Sequence, residues 1–177
     1  MVHILQQNTN KIFSVEQLKT TLCDYYRKYM EVYKTKIEDT LFAQGKREII
    51  HKVRTQSVSL ETIIMSESYY LTNLDIWLFA YEMDLPIILF STNPFKNMVP
   101  NINWLVLSKS VDTVINNTVH FIRSPADYEF NKTPEQHLIT PMLELREVKG
   151  FENMLRSARS GGEYKKCITS FIDFLKM

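Results

Sequence analysis

Few side chains in this chain of 177 residues could perform nucleophilic or acid–base chemistry. There are two cysteines, Cys23 and Cys167. The four histidines are His3, His51, His120 and His137. A cysteine hydrolase needs a thiolate beside an imidazole, and a pair such as Cys23 with His120 could supply both only if the fold brought them together. The histidines lack the spacing of zinc ligands, and we expect no metal and no cofactor.

The surroundings of both candidates in the sequence favour structural roles. Cys23 lies between Leu22 and Asp24 inside a segment of helical periodicity. Catalytic thiols are usually activated at a helix N-terminus, where the helix dipole and free N–H groups favour the thiolate. A neighbouring carboxylate raises the pKa of a thiol further. The pattern therefore favours buried free cysteines, with one disulfide as the alternative. His120 lies in an apolar segment, which is typical of a core histidine.

The composition indicates one ordinary globular domain over residues 1–177. Hydrophobic residues make up 45% of the chain, charged residues 23%, and the net charge is +1. Such a balance does not steer the whole molecule to nucleic acid or membrane. Only four glycines are present, which argues against a glycine-rich phosphate loop. We expect an intracellular protein, because no apolar run approaches the roughly 18 residues of a membrane span and the start does not resemble a signal peptide.

Residues 69–94 form the first part of the segment that must position His120. A helix is predicted there to run directly into a buried strand. Thr72 and Asp75 have the spacing of a capping box. Trp77 lies on the apolar face of this helix, which Pro86 ends. The run Ile87–Phe90 is typical of a short buried strand.

The segment that carries Cys23 is predicted to be a helix opened by Ser14, with Gln17 at capping-box spacing. Its apolar stripe comprises Val15, Leu18, Leu22, Tyr25, Tyr26 and Tyr29. Residues 2–5 are predicted to form an edge strand before it. The other predictions are a second helix over residues 33–43, a stop at Gly45, a helix or loop over residues 46–57 and a short helix over residues 59–65.

Strands are predicted after residue 94, over residues 103–108 and 118–123, with weaker candidates over residues 137–139 and 143–148. Residues 160–177 are predicted to form a C-terminal amphipathic helix with Tyr164, Cys167, Ile168, Phe171 and Leu175 on one face. Helices followed by a cluster of strands indicate an α/β (α+β) domain, with a small central sheet and helices packed around it.

Two further groups of residues could contact partners. Tyr25, Tyr26, Tyr29 and Tyr33 form either a stacking surface or an aromatic face buried in the core. The basic residues fall into two local clusters: Lys46, Arg47, His51, Lys52 and Arg54, and Arg156, Arg159, Lys165 and Lys166. Either cluster could contact phosphates, although a solvated surface balanced by acids is the more usual structure for such a pattern.

Three strings resemble the ovarian tumour (OTU) cysteine protease family, above all its divergent modules in large DNA viruses. They are YLTNLDIW over residues 70–77, LPIILFS over residues 85–91 and VHFIRS over residues 119–124. In that family a helix with an acidic and an aromatic residue precedes a strand of the second type, and a later strand ends in a histidine followed by an aromatic. The resemblance covers roughly residues 14–125 and implies an OTU-like core with His120 at the position of the catalytic base.

The chain departs from the family at the residues that carry catalysis. OTU proteases place the nucleophilic cysteine after a short Asp-Gly segment at a helix N-terminus, and this sequence has no such segment. The residue that orients the imidazole, often Asp or Asn two positions after the histidine, corresponds here to Ile122. The resemblance therefore implies a catalytically inactive interaction or scaffolding domain. Its partner would be a protein, either ubiquitin or another viral protein, in the host cytoplasm or the virion.

Two alternatives stay open. The first is an active deubiquitinating protease with a rearranged site, in which Cys23 or Cys167 is the nucleophile and His120 the base. The second is an accessory domain that binds nucleic acid through the basic clusters.

Overall fold

Six helices and four strands form the described part of the chain in the computed structural model, which covers residues 1–9, 12–91, 104–109, 113, 117–125, 168–169 and 171–176. The helices are α1 (Val2–Thr9), α2 (Val15–Ala43), α3 (Arg47–Arg54), α4 (Leu60–Met65), α5 (Asn73–Glu82) and α6 (Phe171–Lys176). The strands are β1 (Ile87–Phe90), β2 (Trp104–Leu107), β3 (His120–Arg123) and β4 (Ile168–Thr169).

Helix α2 begins at the predicted capping box. The Gln17 N–H donates to Ser14 Oγ at 3.0 Å, and the Ser14 N–H donates to Gln17 Oε1 at 2.8 Å. The predicted second helix over residues 33–43 follows a kink at Tyr33, whose φ of −116° and ψ of 23° are not helical, so α2 consists of two helical segments joined there. Val15, at the start of the predicted apolar stripe, is 61% exposed and does not join the core.

The N-terminal segment was predicted as an edge strand and is the helix α1. Leu5 is fully buried, while Val2 and Ile4 pack against the core from one side. Near the end of α1, the Asn8 side chain donates to the Ile4 carbonyl and the Thr9 hydroxyl donates to the Leu5 carbonyl. A four-residue apolar run fits either structure, and burial along one helical stripe decides for the helix.

Helix α5 and strand β1 occur as the sequence predicts. The Asp75 N–H donates to Thr72 Oγ1 at 3.3 Å and the Thr72 N–H donates to Asp75 Oδ2 at 2.6 Å, which completes the capping box. The helix ends at Glu82, and Asp84 then adopts a positive φ of 53°. Trp77 is fully buried, as predicted.

The four strands form one mixed sheet in the order β3-β1-β2-β4. Strand β1 pairs antiparallel with β2 and parallel with β3. This confirms that the segments predicted around residues 87–90, 104–107 and 119–122 belong to one sheet. The weaker candidates over residues 137–139 and 143–148 lie outside the described residues.

The C-terminal segment differs from the single amphipathic helix predicted over residues 160–177. Ile168 and Thr169 form β4, which pairs in parallel with Val106 and Leu107 of β2, and only Phe171–Lys176 is helical among the described residues of this segment. Pairing with β2 satisfies backbone groups that a continuous helix would satisfy internally, so an available sheet edge overrides the helical pattern.

Helices pack on the sheet. Helix α5 contacts β1 and β2, while α2 contacts α3, α4, α5 and α6. Phe171 of α6 lies against Trp77 and Tyr29, with ring centroids 5.7 and 5.4 Å apart, respectively. The fold is α+β, mostly helical with a small mixed sheet, and this class was predicted from the sequence.

Candidate functional site

Cys23 lies inside α2, eight residues after the first residue of the helix, and its side chain is buried. Its Sγ is 4.0 Å from the Glu61 carbonyl of α4. Burial, together with the carboxylates of Glu61 and Asp24 and against the opposing charge of Arg27, raises the pKa of the Cys23 thiol to about 11. The thiol is therefore neutral at physiological pH, and the helix dipole does not reach it from the N-terminus of α2.

His120 opens β3 and is held by two elements. Its N–H donates to the Pro86 carbonyl at 3.0 Å, which ties it to the start of β1. The imidazole side chain is held by α1, because Asn8 Nδ2 lies 2.8 Å from His120 Nε2. Burial lowers the pKa of the imidazole.

The protonation state of His120 follows from the orientation of Asn8. Asn8 Nδ2 also donates to the Ile4 carbonyl at 2.8 Å, so the amide nitrogen, and not the amide oxygen, faces both groups. The imidazole must then accept at Nε2 and carry its hydrogen on Nδ1. In this arrangement the acceptor nitrogen of the imidazole faces Asn8 of α1 and not a thiol.

The structure does not bring the two predicted catalytic residues together. Cys23 contacts the neighbouring helix α4, His120 contacts α1 and β1, and no hydrogen bond joins them within the described ranges. Ile122, at the position of the expected orienting residue, packs against the core. Asn8 was missed by the sequence reasoning, because nothing in the sequence links it to a histidine 112 positions away. The second cysteine, Cys167, lies outside the described residues.

A buried polar cluster joins α2 to the start of α5, and the sequence revealed only its capping box. Asp75 is fully buried and accepts from the Tyr26 hydroxyl at 2.5 Å and from the Tyr69 hydroxyl at 2.8 Å. Burial raises the pKa of Asp75, and these hydrogen bonds oppose the rise. Burial also raises the pKa values of both phenols, with the charge of Asp75 acting in the same direction.

Lys46 closes this cluster from the turn between α2 and α3. Its ammonium group donates to the Tyr70 carbonyl at 2.9 Å and lies 4.2 Å from the centroid of the Tyr69 ring. Burial lowers the pKa of Lys46 to about 8, although Asp75 opposes the shift. The cluster holds the α2–α3 turn against the α4–α5 connection, so its role is structural.

Within the described part of the chain, only some residues of the first basic cluster are exposed on the surface without an acidic partner. Lys46 is buried, and Arg54 forms ion pairs with Glu38 and Asp39 at 3.0 and 2.5 Å. Arg47, His51 and Lys52 remain exposed around a shallow depression on α3, with the acidic Glu48 among them. One acid among these cations makes a weak phosphate-binding surface. The second basic cluster lies outside the described residues.

The tyrosine stripe of α2 packs inward. Tyr26 and Tyr29 are buried, and Tyr25 lies edge-on to Phe79 of α5 with ring centroids 5.6 Å apart. The tyrosines therefore contribute to the core rather than to a stacking surface.

A small cavity opens between α2 and α4 at Cys23. Its volume is about 140 Å³. It is lined by Cys23, Tyr26, Arg27, Met30, Leu60, Glu61 and Ile64. Arg27 spans the rim, with Nη2 3.1 Å from Glu61 Oε2 across the cavity and Nη1 2.8 Å from Asp24 Oδ1. The floor is apolar and the polar groups stand at the mouth.

Within the described ranges, no three histidine, cysteine or acidic side chains are grouped so that they could hold a metal ion. None of the described helices combines the length and hydropathy that a membrane-spanning segment requires. Comparison with known proteins found no matching family model, no matching curated protein and no matching solved structure.

Proposed function

We propose that this chain is a non-catalytic OTU-like domain that acts by binding a protein partner. The OTU-like assignment rests on the three sequence strings and on the order of helix, strand and histidine-bearing strand. The proposal of a non-catalytic role rests on one observation, the placement of Cys23 as a neutral thiol inside α2.

Thiol proteolysis requires a thiolate, a base within hydrogen-bonding reach and donors for the oxyanion. Cys23 lacks the first because burial disfavours its charged form. It lacks the third because the N–H groups in the middle of a helix are bonded to carbonyls one turn earlier. His120 is bonded to α1 instead of to the thiol, and its acceptor nitrogen is occupied by Asn8.

An interaction role agrees with the remaining features of the surface. Several large apolar side chains are exposed on the described part of the chain, including Val32 at 73% and Phe42 at 40%. The exposed cations of α3 are interrupted by Glu48, which favours a protein partner over nucleic acid. Ubiquitin is the first partner to test, because it is the protein on which the OTU family acts.

A propargylated ubiquitin probe tests the proposal, because it captures active cysteine proteases covalently. We expect no adduct with the full chain, even at high protein concentration and over hours. In a parallel titration, isotope-labelled ubiquitin should show localised shifts on addition of the chain while a panel of di-ubiquitin linkages stays intact. An adduct or cleavage that disappears in Cys23→Ser, Cys167→Ser or His120→Ala would instead establish a rearranged protease site.

A further inference from the structure

We propose that the cavity between α2 and α4 is an anchor site that takes one uncharged apolar side chain, of leucine to phenylalanine size, from a partner protein. This inference rests on the proposed function as an interaction domain, and it names the part of the surface that would hold the partner.

The cavity forms because a small side chain stands where two helices face each other. On α2, Cys23, Tyr26 and Met30 follow helical spacing along one ridge. On α4, Leu60 and Ile64 lie one turn apart. Cys23 has the smallest side chain of the lining, and its Sγ reaches α4 at the Glu61 carbonyl, 4.0 Å away, so space remains open beside it. A leucine there would fill space that the thiol leaves open, and such space is unfavourable in a packed protein.

The size of the cavity limits what can enter. Pockets for metabolites and cofactors usually measure about 300–1,000 Å³, whereas this one measures about 140 Å³. A cavity of about 150 Å³ suffices for a molecule of benzene size. The space therefore fits one leucine, methionine or phenylalanine side chain and excludes a nucleotide or a sugar.

The chemistry of the wall and the mouth defines the occupant further. Tyr26, Leu60 and Ile64 are buried and offer an apolar floor, where a charged group would lose its hydration without gaining a partner. Arg27 and Glu61 stand at the mouth with side chains 61% and 58% exposed. Because the cavity opens to solvent at this paired rim, an occupant can remain attached to a chain outside. The rim then offers both hydrogen-bond donors and acceptors to the backbone of that chain, as in the apolar anchors of protein interfaces.

The cysteine in the wall allows a direct test with alkylthiosulfonates, which transfer their thioalkyl group to the thiol and release methanesulfinate. The test uses the full chain with Cys167→Ser and compares n-butyl, sulfonatoethyl and trimethylammonioethyl methanethiosulfonates. All three react through the same small thiolate fraction, so the protonation of Cys23 cancels in the ratio of their rates. An exposed thiol from Glu31→Cys, in a chain with Cys23→Ser and Cys167→Ser, corrects for intrinsic reactivity.

After that correction, the butyl reagent should modify Cys23 at least about tenfold faster than either charged reagent, roughly the factor supplied by burying two methylene groups. Equal corrected rates for all three reagents would overturn the apolar site. The ubiquitin probe does not depend on this ratio, so failure of the anchor site and failure of the proposed function are distinguishable.

Capped amino acids then test the occupant. N-acetyl-leucine methylamide and N-acetyl-phenylalanine methylamide, at millimolar concentration, should slow the butylation of Cys23 several-fold, while N-acetyl-glutamine methylamide should not. Toluene provides the comparison with a free small molecule. Protection by toluene without protection by the capped leucine would contradict an anchor for a protein side chain.

A filled cavity provides the matched control. Cys23→Leu should abolish the chemical-shift changes that capped leucine produces at the Leu60 and Ile64 methyl groups, and Cys23→Ser should keep them. Unchanged shifts in Cys23→Leu would place the binding elsewhere and overturn the proposal.

Discussion

At the scale of single residues, the surroundings of each reactive group decide its chemistry. Cys23 is neutral because it is buried beside two carboxylates, and burial lowers the pKa of His120 and so favours its neutral form. The surroundings of Cys23 differ from those that activate a thiol, which combine positive charge with partial exposure. The same two residue types could be catalytic in other surroundings, so their presence in the sequence alone does not determine activity.

Lys46 makes the stability of the protein vary with pH in the alkaline range. Its pKa is lowered to about 8 by burial, while an unfolded lysine titrates near 10.4. Between these values the unfolded chain keeps the proton and the folded chain releases it. Unfolding therefore takes up a proton, and the free energy of unfolding should rise with pH across this window.

Urea unfolding at pH 7.5, 8.5 and 9.5 checks this prediction for Lys46. The free energy of unfolding of the wild-type protein should rise relative to that of Lys46→Met at each step of pH, because unfolding of the wild type takes up the proton. Tyrosine titration affects both proteins alike and cancels in this difference. Lys52→Met, at an exposed position of α3, should follow the wild-type profile. Parallel profiles for wild type and Lys46→Met would mean that the buried amine keeps its ordinary pKa.

At the scale of elements, three helices end with the same backbone arrangement. After α2, α3 and α5 the chain passes through a residue with positive φ, namely Gly45 at 94°, Gln56 at 57° and Asp84 at 53°. The following N–H then donates back to a carbonyl five residues earlier, from Lys46 to Leu41, from Ser57 to Lys52 and from Leu85 to Ala80. These are Schellman ends, in which glycine is the favoured residue.

Substitutions at two of these ends should have opposite effects on stability. Gly45→Ala should lower the free energy of unfolding by about 1 kcal/mol, because a side chain disfavours the left-handed conformation. The added Cβ would meet only the Tyr70 hydroxyl, at 3.8 Å, so steric conflict adds little. Gln56→Gly should raise the free energy of unfolding by about 0.5–1 kcal/mol for the same reason. Chemical denaturation measures both, and a change of the same sign at both positions would contradict the conformational explanation.

The elements that the sequence predicts well are those with a local chemical signal. The capping boxes at Ser14 and Thr72, the stop at Gly45 and the strand after Pro86 each depend on residues within a few positions of one another. The errors fall where a distant partner decides. Residues 2–5 become helical because one side packs on the core, and residues 168–169 become a strand because β2 offers an edge.

At the scale of the whole molecule, one aromatic cluster joins helices that are far apart in sequence. Trp77 of α5 lies 4.7 Å from Phe174 and 5.7 Å from Phe171 between ring centroids, and Phe171 also contacts Tyr29 of α2. The cluster lies among α2, α5 and α6.

Trp77→Ala should therefore cost about 3–5 kcal/mol in the free energy of unfolding, the range for deleting a buried large aromatic side chain. Phe42→Ala provides the comparison, since Phe42 is 40% exposed and should cost much less. Thermal or urea unfolding gives both values. A denaturation midpoint near that of wild type for Trp77→Ala would contradict the central place of this residue in the core.

The candidate site was less predictable than the fold, because its geometry depends on pairs that the sequence does not connect. Capping-box spacing identified Asp75, but nothing local indicated that Tyr26, 49 positions earlier, donates to it. The sequence likewise suggested that Cys23 is buried without indicating a cavity beside it. A cavity results from the absence of a larger side chain, and it becomes visible only when the facing helix is in place.

The packing of Phe171 also has a consequence for synthesis on the ribosome. The rings of Tyr29, Trp77 and Tyr81 are translated long before Phe171, which packs against all three. Until α6 has emerged from the exit tunnel, nascent chains carry this aromatic surface uncovered, and such surfaces attract chaperones and promote aggregation. Polysomes that translate this message should accordingly recruit holdase chaperones once Tyr81 has emerged and release them only once residues 171–176 are free to fold.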